Sequence, residues 1–82
     1  MRHARPEALD RLEPLLAQLR QLDVAREKSR GVFYRGSKAF LHFHEDGDEL
    51  YADVRFAEDF ERLNVTTPRD QASLLERLRA TL

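Results

Sequence analysis

Two histidines separated by one residue, His42 and His44, have the type and spacing in this sequence best suited to chemistry. In a β-strand alternate side chains share a face, so both imidazoles would lie on one side, with the backbone positions of the two residues about 6.5–7 Å apart. A carboxylate on a neighbouring strand, Asp53 or Glu49, would supply an oxygen ligand. Two histidines and a carboxylate suit zinc, iron or another divalent metal. One interpretation is therefore a metal site made of His42, His44 and Asp53.

Three apolar segments with strand-like alternation must position these histidines, and short turns separate them. The segments are 32–35, 39–44 and 50–56, joined at Gly36-Ser37 and Asp46-Gly47. Two-residue loops containing glycine are typical of β-hairpins, because glycine accepts a positive φ. The sequence therefore predicts an antiparallel meander.

These turns predict a register that can be tested by the alternation of side chains. On the apolar face it places Phe43 opposite Leu50, Leu41 opposite Ala52, Ala39 opposite Val54 and Tyr34, and Val32 opposite Leu41. On the outer face it places His42 opposite Tyr51, His44 opposite Glu49 and Phe40 opposite Asp53. All the apolar pairs fall on one face, as strand geometry requires.

Leucine-rich segments at both ends of the chain predict helices that cover the apolar face. Pro14 favours a first helix from near Glu13 to near Asp23, because proline fits the first turn of a helix. The second helix begins at Thr67, where a cap precedes proline. Its apolar stripe consists of Leu74, Leu75, Leu78 and Leu82. Between the meander and this helix, we expect a helical turn over 57–62 and a short strand over 63–66.

The predicted fold is an α+β two-layer domain. It has an antiparallel sheet of three to four strands, with the N- and C-terminal helices packed on one face. We expect residues 1–82 to form a single domain, with residues 1–6 as a flexible tail.

Composition restricts the classes of function. The 82 residues include no cysteine and carry a net charge of −1. Disulfide scaffolds and thiolate metal sites are therefore excluded, and a reducing, cytoplasmic location is expected. No apolar run is long enough for a membrane span, and near-neutral charge disfavours broad nucleic-acid binding.

A second interpretation treats the outer sheet face as a binding surface. Aromatic residues beside arginine are typical of interface centres. The candidate residues are Phe33, Arg35, Phe40, His42, Tyr51 and Asp53. They favour a protein partner or a homo-oligomer, since the acids of 45–49 would repel phosphate. A third interpretation is that this face is polar and solvated without a function.

Catalysis without a metal has little support in the sequence. The serines Ser29, Ser37 and Ser73 lie away from the histidine pair in the predicted layout, and hydrolysis by a nucleophile needs a base beside the hydroxyl. The three glycines are too dispersed for a phosphate-binding loop. We therefore expect a non-catalytic binding or assembly module without a cofactor. The alternative is a protein that binds zinc or another divalent metal, including a metal-dependent enzyme.

The order of elements resembles a known group of small domains. A leading helix, the segment from Val32 to Phe40, an acidic hairpin and a leucine-rich closing helix are similar to the MmcQ/YjbR-like and YdhG-like small bacterial α+β domains. The resemblance covers about residues 24–82. It implies an α+β fold of unknown biochemical role and supplies no catalytic residues.

Overall fold

The computed structural model describes residues 1–81 of the chain. Three helices and six strands make up the fold. In chain order they are β1 (Arg2–His3), α1 (Pro6–Arg11), α2 (Glu13–Leu22), β2 (Arg26–Ser29), β3 (Val32–Arg35), β4 (Lys38–Asp46), β5 (Glu49–Val54), β6 (Glu61–Asn64) and α3 (Pro68–Ala80).

All strands belong to one antiparallel sheet. Its main path runs β2-β3-β4-β5-β6, and β1 pairs with β4 beyond the part of β4 that pairs with β3. The α+β class and the antiparallel sheet are confirmed. The expected strand number of three to four is too low, because β1 and β2 were not predicted as strands.

The strand β2 carries little of the pattern by which strands are recognised. Its sequence is Arg-Glu-Lys-Ser, and only Glu27 is partly buried. It is an edge strand that continues the sheet through a turn at Arg30-Gly31. Gly31 has a φ of 79°, and a Cβ there would lie 2.7 Å from Leu9 Cδ2. The positive φ requires glycine at this turn, and the missing Cβ leaves room for the Leu9 side chain of α1.

Helix boundaries follow the predicted signals. The helix α2 begins at Glu13 with proline in its first turn, and it ends at Asp23 in the left-handed conformation. At α3 the Thr67 hydroxyl accepts a hydrogen bond from the Asp70 amide, and the Asp70 carboxylate accepts one from the Thr67 amide. This capping box satisfies two backbone donors that the helix cannot pair internally.

The other connections differ from the expectations in detail. Residues 56–59 form bends and no helical turn, and β6 begins at Glu61, two residues earlier than the predicted short strand. None of the helices within residues 1–81 combines the length and hydrophobicity that crossing a membrane requires.

The core joins the helices to one face of the sheet. Its buried members are Ala8, Leu12, Leu15, Leu16, Leu19, Phe33, Phe40, Leu41, Phe43, Leu50, Ala52, Val54, Val65, Leu74, Leu75 and Leu78. Most of the leucines predicted to form helical stripes are among them, and Leu82 lies outside the described residues. The hydrophobic effect therefore holds all three helices against the sheet.

The β4–β5 hairpin is shifted by two residues from the predicted register. Asp46 pairs with Glu49, so the loop is Gly47-Asp48 and not Asp46-Gly47. Gly47 has a φ of 61° at the first loop position, as in a type II′ turn. Because the shift is an even number of residues, the side chains of the paired residues 41–46 and 49–54 keep their predicted faces. The partners across the strands nevertheless change.

The β3–β4 hairpin keeps the predicted Gly36-Ser37 turn. Tyr34 lies opposite Ala39, as predicted. The next pair is Phe33 with Leu41, and not Val32 with Leu41, because a bulge shifts the register by one residue.

This bulge changes the position of two aromatic residues. Phe33 is 2% exposed and Phe40 is 5% exposed, and both belong to the core. The prediction that both lie on an outer binding surface is therefore wrong. Phe33 lies opposite the buried Leu41, and Phe40 has no partner in the register.

Candidate metal centre

All three histidines of the sequence lie together on the outer face of the sheet. His3, His42 and His44 each offer a ring nitrogen, and these three atoms lie within 4.8 Å of one another. The ring centroids are 4.6 Å apart for His3 and His44 and 5.1 Å apart for His42 and His44. For His3 and His42 this separation is 5.9 Å. We call these residues the histidine cluster.

The strand β4 positions two members of the cluster, and β1 brings the third. His3 lies directly opposite His44 in the β1–β4 pair, so the two side chains share a face. The Ala4 amide donates a 3.1 Å hydrogen bond to the Phe43 carbonyl and continues this pairing. Residues 1–6 were expected to form a flexible tail, whereas the structure contains β1 here and begins α1 at Pro6.

A carboxylate anchors the start of α1 next to β1. The Glu45 carboxylate accepts a 2.7 Å hydrogen bond from the Arg5 amide and a 2.9 Å hydrogen bond from the Arg5 guanidinium. This pair lies next to His44 in sequence and ties the segment after His3 to β4. The position of His3 therefore depends on contacts other than its own.

His42 has a nitrogen atom without a partner. Its Nδ1 is buried and has no hydrogen-bond partner within residues 1–81. Burial lowers the pKa of His42, and it also lowers the pKa of His44. Both imidazoles are therefore neutral near pH 7, the state in which a ring nitrogen can bind a metal. A buried nitrogen without a partner is costly, so Nδ1 is a position where a bound ion or water would add stability.

Asp53 lies directly opposite His42, and its carboxylate is 3.1 Å from the Nε2 of His44. It also accepts two hydrogen bonds, of 2.7 and 2.8 Å, from the Arg62 guanidinium on β6. These bonds from Arg62 hold the pKa of Asp53 below its usual range. Asp53 is thus an ionised, nearly buried carboxylate that contacts one histidine of the cluster.

The arrangement gives Asp53 a role different from the predicted role of metal ligand. The sequence predicts Asp53 as a ligand beside His42 and His44, whereas the nitrogen cluster among the described residues consists of three histidines. A carboxylate that contacts the far nitrogen of a metal-bound histidine fixes its tautomer and orientation. The second candidate carboxylate, Glu49, accepts a 2.6 Å hydrogen bond from the Thr66 hydroxyl and lies opposite Asp46.

An aromatic ring covers one side of His42. The Phe60 ring centroid is 4.9 Å from that of His42, and the Arg55 guanidinium lies over the Phe60 ring, 4.3 Å from its centroid. Phe60 is 38% exposed. Phe60 restricts the access of solvent to His42. It does not cover the whole cluster, since His3 is exposed.

The remaining predicted binding residues do not form one surface. Arg35 is exposed, and its guanidinium lies 5.3 Å from the centroid of the buried Phe40 ring. Tyr51 is half-buried and lies between His44 and Asn64 in the register. Three of the predicted binding residues do lie close together. His42 is opposite Asp53, and Tyr51 is opposite the neighbouring histidine, His44.

Sequence reasoning missed His3, Phe60 and Arg62. His3 lies on a strand of two residues, which is too short to show alternation. Arg62 could have been found only with the correct β4–β5 register, because that register makes Asp53 the central residue of a row from His42 to Arg62.

A wider groove lies elsewhere on the surface. It has a volume of about 600 Å³ and lies between the end of α2 and strands β2 and β3. Its Arg20 is neutralised by salt bridges of 2.7 Å to Glu13 and 2.6 Å to Glu27. Its lining mixes basic and acidic side chains and contains no histidine, so it offers no cluster of metal ligands.

Comparisons with known proteins supply no family for this chain. No protein-family model matches the sequence, and neither a curated protein nor a solved structure matches it significantly. The resemblance to the MmcQ/YjbR-like and YdhG-like domains therefore stays a prediction, and the site has to be interpreted from its own geometry.

Proposed function

We propose that this protein binds a divalent transition-metal ion through His3, His42 and His44. The observation that carries the proposal is the convergence of all three histidines of the sequence, with their ring nitrogens within 4.8 Å of one another. A set of three imidazoles with one position left open is the ligand arrangement of many zinc sites.

The orphaned Nδ1 of His42 supports the proposal independently of the distances. A buried polar atom without a partner is rare in folded proteins, and each one calls for an explanation. A metal ion at this nitrogen would remove the cost of its burial. The contact of Asp53 with His44 adds the carboxylate that commonly orients a metal-bound imidazole.

The ligand chemistry predicts which ions bind. Imidazole nitrogen suits Zn²⁺, Co²⁺, Ni²⁺ and Cu²⁺, whereas Mg²⁺ and Ca²⁺ prefer oxygen ligands. We therefore expect selectivity for the first group, with Mg²⁺ and Ca²⁺ unable to displace Zn²⁺ even in large excess.

The alternative of an assembly module acting through the outer face has less support. The burial of Phe33 and Phe40 removes two of the aromatic rings that this interpretation requires. Phe60 is the main exposed ring near the site, and it already contacts His42 and Arg55. Metal binding explains the histidines, which an interface does not require.

The direct test is isothermal titration calorimetry with Zn²⁺ on protein purified without a polyhistidine tag. Wild type should bind one ion per chain. His42→Ala and His44→Ala should each lower the affinity at least about tenfold, the change that loss of one ligand contact of about 1.4 kcal/mol produces.

Two controls separate the cluster from other sources of binding. Asp46→Asn with Asp48→Asn removes exposed carboxylates of the acidic hairpin and should leave the affinity unchanged. Binding that depends on His3 but survives both His42→Ala and His44→Ala would place the metal on His3 and nearby backbone nitrogens, and would contradict the proposal.

A further inference from the structure

A small cavity adjoins the histidine cluster. It has a volume of about 60 Å³ and includes both His3 and His42 in its wall. The rest of the wall is mainly apolar, with Leu9, Val32 and Phe43, and Arg30 is the charged residue that completes it. Since a water molecule occupies about 30 Å³ in the liquid, the cavity accommodates about two waters or one small anion.

The number of protein ligands leaves a coordination position for an external group. The cluster supplies three nitrogens, and zinc and cobalt sites of this kind take at least four ligands. Asp53 is committed to Arg62 through two hydrogen bonds, so it does not complete the set. Two of the three histidines line the cavity, which therefore offers space for the fourth ligand beside the cluster.

The charge balance of the site favours an anion as that ligand. An imidazole that ligates a metal contributes no charge, and the charge of Asp53 is offset by Arg62 at 2.7 Å. A bound divalent ion would therefore carry two positive charges without nearby compensation by the protein. Charges that are partly removed from water and unpaired are costly, so an anion at the open position lowers this cost. The guanidinium of Arg30 at the wall is paired with Asp10 and Glu13, so the charge that attracts the anion is that of the metal.

We infer that the metal site binds a small monovalent anion, of the size of azide or hydroxide, in the cavity beside His3 and His42. This inference rests on the proposed metal binding and adds the class of the external ligand. The volume of about 60 Å³, lined by Val32, Leu9 and Phe43, favours a small anion over an aromatic or phosphorylated molecule.

The experiment uses Co²⁺-loaded full-length protein, whose visible absorption reports the ligands of the metal. Titration with azide should change the spectrum saturably. Benzoate, which carries the same charge on a larger body, should leave it unchanged. A Co²⁺ spectrum that azide does not alter would overturn the inference and leave metal binding intact. Absence of histidine-dependent Co²⁺ binding would overturn both, so the two failures are distinguishable.

Two variants of one residue test the role of the cavity. Val32→Ile adds a methylene to the wall and keeps the β-branched shape that suits β3. It should weaken azide binding about tenfold, because overfilling a small packed space is strongly unfavourable. Val32→Ala enlarges the cavity and should preserve azide binding and admit larger anions. Both variants should retain wild-type Co²⁺ affinity. Equal azide affinity in Val32→Ile and wild type would contradict the assignment of the anion to this cavity.

Discussion

The two faces of the β4–β5 hairpin differ in how they depend on register. On the face toward the helices, Leu41 and Phe43 lie opposite Val54 and Ala52, and all four are buried. A shift of two residues exchanges one apolar partner for another and leaves a core of similar composition. This face is therefore specified by the alternation of residues alone.

The outer face is specified by the exact pairing. In the predicted register His42 lies opposite Tyr51, whereas the structure pairs it with Asp53. That change places a carboxylate beside the histidines and aligns it with Arg62 on β6. The comparison shows that a fold tolerates an even register error which a polar site does not. Substitutions on the two faces should therefore differ in their effects on stability and on metal affinity.

Leu16→Ala should have the largest effect on stability. Leu16 is fully buried in α2, and removal of such a side chain leaves a cavity. We expect a loss of about 2–5 kcal/mol in the free energy of unfolding, measured by urea denaturation. The Zn²⁺ affinity of the folded protein should remain that of wild type, because α2 supplies no ligand. A large change in the Zn²⁺ affinity of the folded variant would contradict the view that the core face and the outer face act independently.

Asp53→Asn should affect stability and metal affinity together. The substitution weakens the pair with Arg62 and the contact with His44. We expect a loss of about 1–3 kcal/mol in the free energy of unfolding. The Zn²⁺ affinity should fall about 10–100-fold, as for other carboxylates that orient metal-bound histidines.

The matched control for Asp53→Asn is Glu61→Gln, which breaks the exposed ion pair between β6 and Arg77. It should have little effect on the free energy of unfolding and leave Zn²⁺ affinity unchanged, because exposed ion pairs contribute little. If the two variants had the same effect on affinity, Asp53 would have no particular role at the site.

His42→Leu should stabilise the metal-free protein. It replaces a buried nitrogen without a partner by an apolar group beside Phe60. We expect a gain of about 1 kcal/mol by urea denaturation and loss of Zn²⁺ binding. The same change at His44 should destabilise, because it leaves the Asp53 carboxylate without its histidine contact. Equal effects at the two positions would contradict the different environments assigned to them.

His3→Ala should have the smallest effect on stability. His3 is exposed, so we expect a change within about 0.5 kcal/mol. Its effect on Zn²⁺ affinity should nevertheless be at least about tenfold. Arg2→Ala on the same strand, also exposed, is the control and should change neither quantity.

The extent of sequence-based prediction differs between the fold and the site for physical reasons. The leucine stripes, the Thr67 capping box and the Gly36-Ser37 turn act locally, and their patterns are visible in the sequence. The site depends on whether Gly47 is the first or the second residue of the β4–β5 turn, and on the two-residue strand β1. Gly47 stands first in its loop, as Gly36 does in the other hairpin, and consistent use of that rule would have given the correct register.

The participation of His3 could not be predicted from local pattern. Its position results from backbone pairing with His44 and from the Arg5–Glu45 contact, which spans 40 residues of sequence. The bulge that places Phe33 opposite Leu41 is likewise not visible in the alternation of residues in β3.

The most direct test of the central claim is NMR of the three imidazole rings during Zn²⁺ titration of the wild-type protein at neutral pH. The ring resonances of His3, His42 and His44 should change together and reach completion at one equivalent, and a chelator should restore the original spectrum. Changes confined to His3, or changes that continue without saturation beyond one equivalent, would contradict a metal site built from the histidine cluster.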